Sequence, residues 1–262
     1  MLIDTHCHLD AAEFDADRLS VIQAARAGGV GGFLVPAVGA SNFDAVAALS
    51  AAHPDVVYAV GIHPMYVGQA REPDLDILRE RLAGGGAVAV GEIGLDGFVQ
   101  DGSMPLQLRY FEAQLRLAKA FELPVILHVR RAQDDVLKLL RRVRPPGGIA
   151  HAFNGSVQQA EAFIKLGFRL GFGGAMTYAG SRRIRQLAAK LPLSAIVLET
   201  DAPDIPPSWG AGLRNDPANL PRFAEVLVGL RGMPLDEVIE ATGANALAAV
   251  PGLQRLAGLR PV

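Results

Sequence analysis

The sequence predicts a single-domain (β/α)8 TIM barrel over residues 1–262, and three observations predict it. Eight short apolar or β-branched runs alternate with longer amphipathic stretches, the pattern of repeated βα units. The chain has 262 residues, and barrels of this kind typically run to about 250. Histidines and acidic residues fall where the apolar runs end, which is where a barrel gathers its chemistry.

The elements follow in order. A first strand is expected at 2–6, where Leu2 and Ile3 lead into a polar exit. Residues 16–27 then repeat apolar side chains at helical spacing, with Arg and Gln outside. Strands at 32–36 and 56–62 precede helices at 42–52 and 74–83. Gly84-Gly85-Gly86 marks a loop before the fourth strand, 87–93, and the helix at 106–121 repeats the helical pattern. The fifth strand, 124–129, leads to a helix at 132–142. Pro145-Pro146-Gly147-Gly148 then turns the chain into the sixth strand, 148–152. A helix at 156–166, a strand at 168–172, a helix at 182–189, a strand at 196–201 and a helix at 221–230 complete the series. Residues 232–262 read as a further pair of short helices closing the barrel. If 32–36 and 168–172 are not strands, a six-stranded doubly wound sheet is the alternative.

Half the residues are hydrophobic and a fifth are charged, which leaves ample apolar surface for a core. A net charge of −2 supplies no whole-protein basic field for duplex nucleic acid or membrane, but leaves room for a local phosphate site. The single cysteine, Cys7, excludes an intramolecular disulfide and fits a reducing compartment. The N-terminus turns polar at Asp4, without the basic and apolar regions of a signal peptide, and the apolar runs are too short to span a membrane. The expectation is a cytoplasmic protein with no membrane contact and no obligate protein partner.

Five of the six histidines end strands. His6 and His8 close the first and share a face, since strand side chains alternate with period two. His63 follows the third strand, Glu92 ends the fourth, His128 the fifth, His151 the sixth and Asp201 the eighth. His53 precedes a strand and so belongs to the opposite mouth, as a surface histidine. A lone His-x-His is weak evidence, but five imidazoles and two carboxylates at one mouth need a metal or a mutual network to offset their burial. Mixed imidazole and carboxylate ligands suit zinc, manganese or magnesium. A bridge between two cations needs an anionic ligand with two oxygens. The lysines that could be carbamylated, Lys119, Lys138, Lys165 and Lys190, lie in or beside helical patterns, which leaves Glu92 as the bridge.

Ile3-Asp4-Thr5-His6-Cys7-His8-Leu9-Asp10, Gly61-Ile62-His63-Pro64 and Gly91-Glu92-Ile93-Gly94-Leu95-Asp96 resemble the TatD-type metal-dependent deoxyribonuclease family, within the amidohydrolase-like metal barrels. So do Pro124-Val125-Ile126-Leu127-His128-Val129-Arg130, His151-Ala152-Phe153-Asn154-Gly155, Leu198-Glu199-Thr200-Asp201-Ala202-Pro203 and Arg214-Asn215-Asp216-Pro217-Ala218-Asn219-Leu220. The blocks keep the family's order from residue 3 to residue 220. The resemblance implies that His6, His8, Glu92 and Asp201 hold one divalent metal, and Glu92, His128 and His151 the other. It also implies cleavage of single-stranded DNA, or another phosphodiester, from the 3′ end. One departure is Gly97-Phe98, where many members carry two tyrosines. This resembles a branch known only as uncharacterised hydrolases.

For such chemistry Asp201 is the candidate general base, with a pure ligand role as the alternative. His63 is expected as a hydrogen-bond donor to the phosphate or leaving group. Arg130 and Arg214 are candidate phosphate forks, with a rim salt bridge the alternative for Arg130. Asp4, Glu199 and Asp96 are expected to orient ligands, and Cys7 to pack as a small hydrophobe. Trp209 is open between stacking a base and packing. Two other functions are weighed: a metal-dependent hydrolase of a lactone, amide or small phosphodiester, and a catalytically idle metal-binding barrel.

Overall fold

A computed structural model describes residues 1–71, 73–99 and 103–256. Their apolar runs form β1 (Leu2–Asp4), β2 (Val30–Pro36), β3 (Val56–Val60), β4 (Ala89–Asp96), β5 (Val125–Arg130), β6 (Gly148–Ala150), β7 (Phe168–Phe172) and β8 (Ile196–Leu198). The strands pair in sequential order, each ladder parallel, as right-handed βα crossovers require. Between them run α1 (Arg18–Ala27), α2 (Phe43–Ala52), α3 (Asp74–Ala83), α4 (Met104–Ala120), α5 (Gln133–Val143), α6 (Val157–Lys165), α7 (Arg182–Lys190) and α8 (Leu220–Arg231). The doubly wound alternative is thereby excluded: both weaker runs are strands, and the first of them, β2, begins two residues earlier than expected. Among the described residues, no helix is long and apolar enough to cross a membrane.

Strand side chains alternate between two cores. One set packs outward against the helices, as Phe33, Val35, Leu127, Leu170 and Phe172 do. The other set fills the lower barrel interior: Ile3, Leu34, Val57, Ala59, Ile126, Ile149 and Val197. This inner core is stoppered from the N-terminal end by α9 (Leu235–Ala249) and a 3-10 turn, Pro251–Arg255, through Ala246, Val250, Leu253 and Leu256. A β-carbon at Gly32 would stand 2.4 Å from the end of the Leu256 side chain, so glycine there lets the plug enter without Leu256 having to shift. The two closing helices expected at 232–262 are thus one long helix and a short turn. Residues 257–262 of that reading lie outside the described residues.

The closure between the last and first strands differs from the other seams. Both β1 and β8 stop after three residues, earlier than expected, and the chain beyond them makes the joint. Thr5 N donates to Leu198 O at 3.1 Å, Asp201 N to His6 O at 2.8 Å and His8 N to Ala202 O at 2.7 Å.

Candidate metal centre

The inward positions above the inner core carry Glu92, His128 and His151, and the closing segments carry His6, His8 and Asp201. Glu92 lies within β4 rather than at its end, where the register with β5 shifts between Val90 and Ile93. His128 is likewise inside β5, while His6, His8, His151 and Asp201 stand one to four residues past the ends of their strands.

Glu92 is 2 % exposed and is the hub of the cluster. Its Oε2 faces His6 Nε2 at 3.1 Å and His8 Nε2 at 3.6 Å. Its Oε1 faces His151 Nε2 at 2.8 Å, His128 Nδ1 at 3.1 Å and His63 Nε2 at 3.3 Å. Asp201 Oδ1 joins the Oε2 side, 3.4 Å from His6 Nε2 and 3.7 Å from His8 Nε2. Asp201 holds φ at 57°, a left-handed conformation uncommon outside glycine but better tolerated by Asp than by bulky residues.

Three further acids contact the cluster or its loops. Asp96 Oδ2 sits 3.0 Å from His128 Nε2. Asp4 accepts hydrogen bonds from the Thr200 amide at 2.9 Å and the Thr200 hydroxyl at 2.6 Å, beside Asp201. Glu199 Oε1 accepts from the Ala152 amide and lies 3.8 Å from His151 Nδ1. A β-carbon at Gly171 would meet Glu199 Oε2 at 2.0 Å, so a glycine leaves the room this carboxylate occupies.

Burial and mutual charge set the protonation states. Burial alone would raise the Glu92 carboxyl, but His151, His63, His6 and the hydrogen bond from His128 hold it well below the usual carboxylate range. Burial, reinforced by His151, pushes His6 down to about 3. Burial would likewise lower His151, but the adjacent Glu92 raises it to about 10. Burial raises Glu199 to about 8.

The cluster fits divalent cations by the chemistry of its donors. Two neighbouring nitrogens, His6 Nε2 and His8 Nε2, lie 3.3 Å apart and point at one carboxylate. Ligand atoms of His6, His8 and Asp201, of His6, Glu92 and His151, and of His63, Glu92 and His128 fall into three groups, each within 4.8 Å. An ionised carboxylate and a neutral His6 are forms ready to ligate, and the proton on His151 is one a cation would displace.

His63 joins the cluster more closely than expected of a residue outside the ligand set. Its Nδ1 accepts from the Met65 amide at 3.2 Å, which leaves the proton of the neutral ring on Nε2. Arg130 lines the mouth cavity, with its guanidinium 3.8 Å from Asp96 and 3.9 Å above the Phe98 ring.

Arg214 departs from expectation. It is not among the residues lining that cavity. Its guanidinium forks onto Asp17 at 2.8 and 2.7 Å and donates to the Glu13 carbonyl. The neighbouring Asn215 is the residue that matters there. It is fully buried and donates to the carbonyls of Thr200, Asp204 and Ile205, holding the loop that carries Asp201. Trp209 packs: its indole donates to Asn219 at 3.0 Å and Arg222 stacks on it at 3.8 Å. Cys7 is buried in the outer core, as expected.

Sequence reasoning missed Gln107 and Gln114 of α4. Gln114 takes both backbone groups of Ile62, beside His63, at 2.7 and 3.0 Å, and Gln107 does the same to Asp96 at 2.8 and 3.3 Å. Two glutamines seven residues apart on the buried face of a helix were the available signal.

The sequence profile of the TatD related DNase family matches residues 3–250. The chain is 43 % identical over 242 residues to the uncharacterized metal-dependent hydrolase YjjV of Escherichia coli (strain K12), covering 91 % of this chain and 93 % of that protein. It is 31 % identical to the human deoxyribonuclease TATDN3, covering 97 % and 96 %. The crystal structure of the E. coli K12 TatD homologue YJJV superposes with a TM-score of 0.92 at 41 % identity, covering 95 % of this chain and 98 % of that one.

Proposed function

The chain belongs to the TatD-related DNase family of metal-dependent hydrolases, and from that premise we propose that it cleaves phosphodiester bonds of single-stranded DNA from the 3′ end, using two divalent cations. The observation that carries this reading is the split of donors between the two oxygens of Glu92. His6, His8 and Asp201 gather on the Oε2 side, and His128, His151 and His63 at Oε1. One carboxylate with a separate donor set on each oxygen suits a bridge, and magnesium, manganese and zinc all accept these ligand types. Bound there, the cations would neutralise phosphate charge and acidify a water.

The side chains supply the rest. Asp201 lines the cavity and accepts the proton of the attacking water. His63 carries its proton on the nitrogen nearer Glu92 and donates it as a hydrogen bond to a phosphate oxygen or the leaving oxygen. Arg130 meets the phosphate with a planar fork, at the cost of its long contact to Asp96. The buried, unpaired Cys7 supports a reducing, cytoplasmic setting.

The test is reconstitution. Protein stripped by chelator is given back magnesium, manganese or zinc and followed on 3′-labelled single-stranded DNA and on an aryl phosphodiester, with Asp201→Asn alongside. Cation-dependent trimming that falls about 10²–10⁴-fold in Asp201→Asn supports the reading, the range typical of a lost general base. Cations that bind without cleavage of either substrate would overturn it and turn attention to lactones and amides.

A further inference from the structure

The mouth cavity, about 950 Å³, extends well beyond the cluster around Glu92. Its wall includes His8, His63, His128, His151 and Asp201 of that cluster, and also Arg130, Arg131, Gln133, Asn154, Gln159 and Arg183. Its volume stands near the top of the roughly 300–1,000 Å³ that small-molecule sites occupy, far more than one phosphate needs.

Two of these arginines lack the carboxylate partner that several surface arginines have. Arg26, Arg81 and Arg142 are each neutralised by a carboxylate, from Asp55, Asp44 and Glu112. Among the described residues, neither Arg131 nor Arg183 has a carboxylate within ion-pairing distance. Both are nonetheless held in place. The Arg131 guanidinium lies 4.7 Å from the centroid of the Phe98 ring, which Arg130 also contacts. Arg183 Nε donates to Asn154 Oδ1 at 2.9 Å, and Gln133 Nε2 donates to the Asn154 carbonyl at 2.8 Å. Arg131 comes from the β5–α5 loop, Asn154 from the β6–α6 loop and Arg183 from the first turn of α7. These positions belong to three consecutive βα units. A fork fixed through Nε keeps its outer nitrogens for an anion.

We propose that Arg131 and Arg183, with the side-chain amide of Asn154, form a second anion subsite that takes the phosphate next to the one being cut. The proposal rests on the phosphodiester reading and deepens it. A strand cut at its 3′ end has no further phosphate on the departing nucleoside side. Every remaining phosphate lies 5′ of the cut, so the subsite takes the 5′ neighbour of the scissile phosphate. It measures substrate length, favouring a strand that continues upstream over an isolated diester.

The test compares two thymidine dinucleotides, one with and one without a 5′-phosphate. Relative kcat/KM is measured on the cation-loaded enzyme, and affinity on the cation-free protein by titration calorimetry, which needs no turnover. The phosphorylated dinucleotide is expected to be favoured by about tenfold or more, the scale of a charge-assisted hydrogen bond. Arg183→Gln and Arg131→Gln, checked for unchanged thermal unfolding, are expected to bring that ratio towards one, and Arg183→Lys to restore part of it. A wild-type protein that treats the two dinucleotides alike, or variants that keep the wild-type ratio, overturns the subsite even if an aryl phosphodiester is cleaved. If the wild-type enzyme cleaves neither dinucleotide nor the aryl phosphodiester, the phosphodiester reading fails and the subsite falls with it.

Discussion

The two sides of the barrel mouth hold the side chains of the cluster by different means. On the β3–β5 side, Glu92 and His128 project from long strands, Glu92 where the register shifts, and α4 braces the backbone through Gln107 at Asp96 and Gln114 at Ile62 beside His63. On the β8–β1 side the strands are three residues long, and His6, His8 and Asp201 stand on irregular chain. That chain is fixed by a few backbone hydrogen bonds, the Asp4–Thr200 pair and the Asn215 side chain. A ladder positions side chains by repetition. The seam does so by individual polar contacts, each of which leaves a buried group unsatisfied when it is removed.

Three substitutions break or sharpen this contrast. Glu92→Gln has the largest expected effect because Glu92 serves both sides: cation content measured by atomic absorption should fall, and activity should drop by at least about a hundredfold. An enzyme that retained both cations and its rate would remove Glu92 from the centre of the site. Asn215→Ala tests the seam. It strips buried carbonyls of Thr200 and Asp204 of their donor, at about 3 kcal/mol in urea unfolding. It should also weaken cation binding, since Asp201 rides on the same loop; unchanged cation affinity would show the loop to be self-supporting. Gln114→Leu should cost about 2 kcal/mol for two backbone groups left without partners, with cation affinity held within about twofold. A large loss of cation there would mean that the strand side depends on its brace as much as the seam does.

The same contrast explains what the sequence disclosed. All eight strands and their order were legible because apolar runs and glycine or proline breaks register in composition. The cluster around Glu92 was legible because imidazole and carboxylate at strand ends have few other uses. Strand ends at β1 and β8 were not, since Thr5, His6, Thr200 and Asp201 look like strand continuations when the closing hydrogen bonds are unknown. Arg214 drew attention by its charge, whereas the neutral Asn215 beside it does the holding. Arg131, Asn154 and Arg183 belong to three separate βα units, and only the folded rim brings them to one cavity.

The closing seam also gives the protein a sense of time. Asp4 and Thr200, which fasten it, are 196 residues apart in the chain. At synthesis rates of about 5–20 residues per second, His6 and His8 leave the ribosome roughly 10–40 s before Asp201. Until then the mouth has only part of its donors and the barrel an open edge. A nascent or prematurely ended chain therefore carries no complete cluster, and the full set of donors arrives only with a polypeptide long enough to close its own ring.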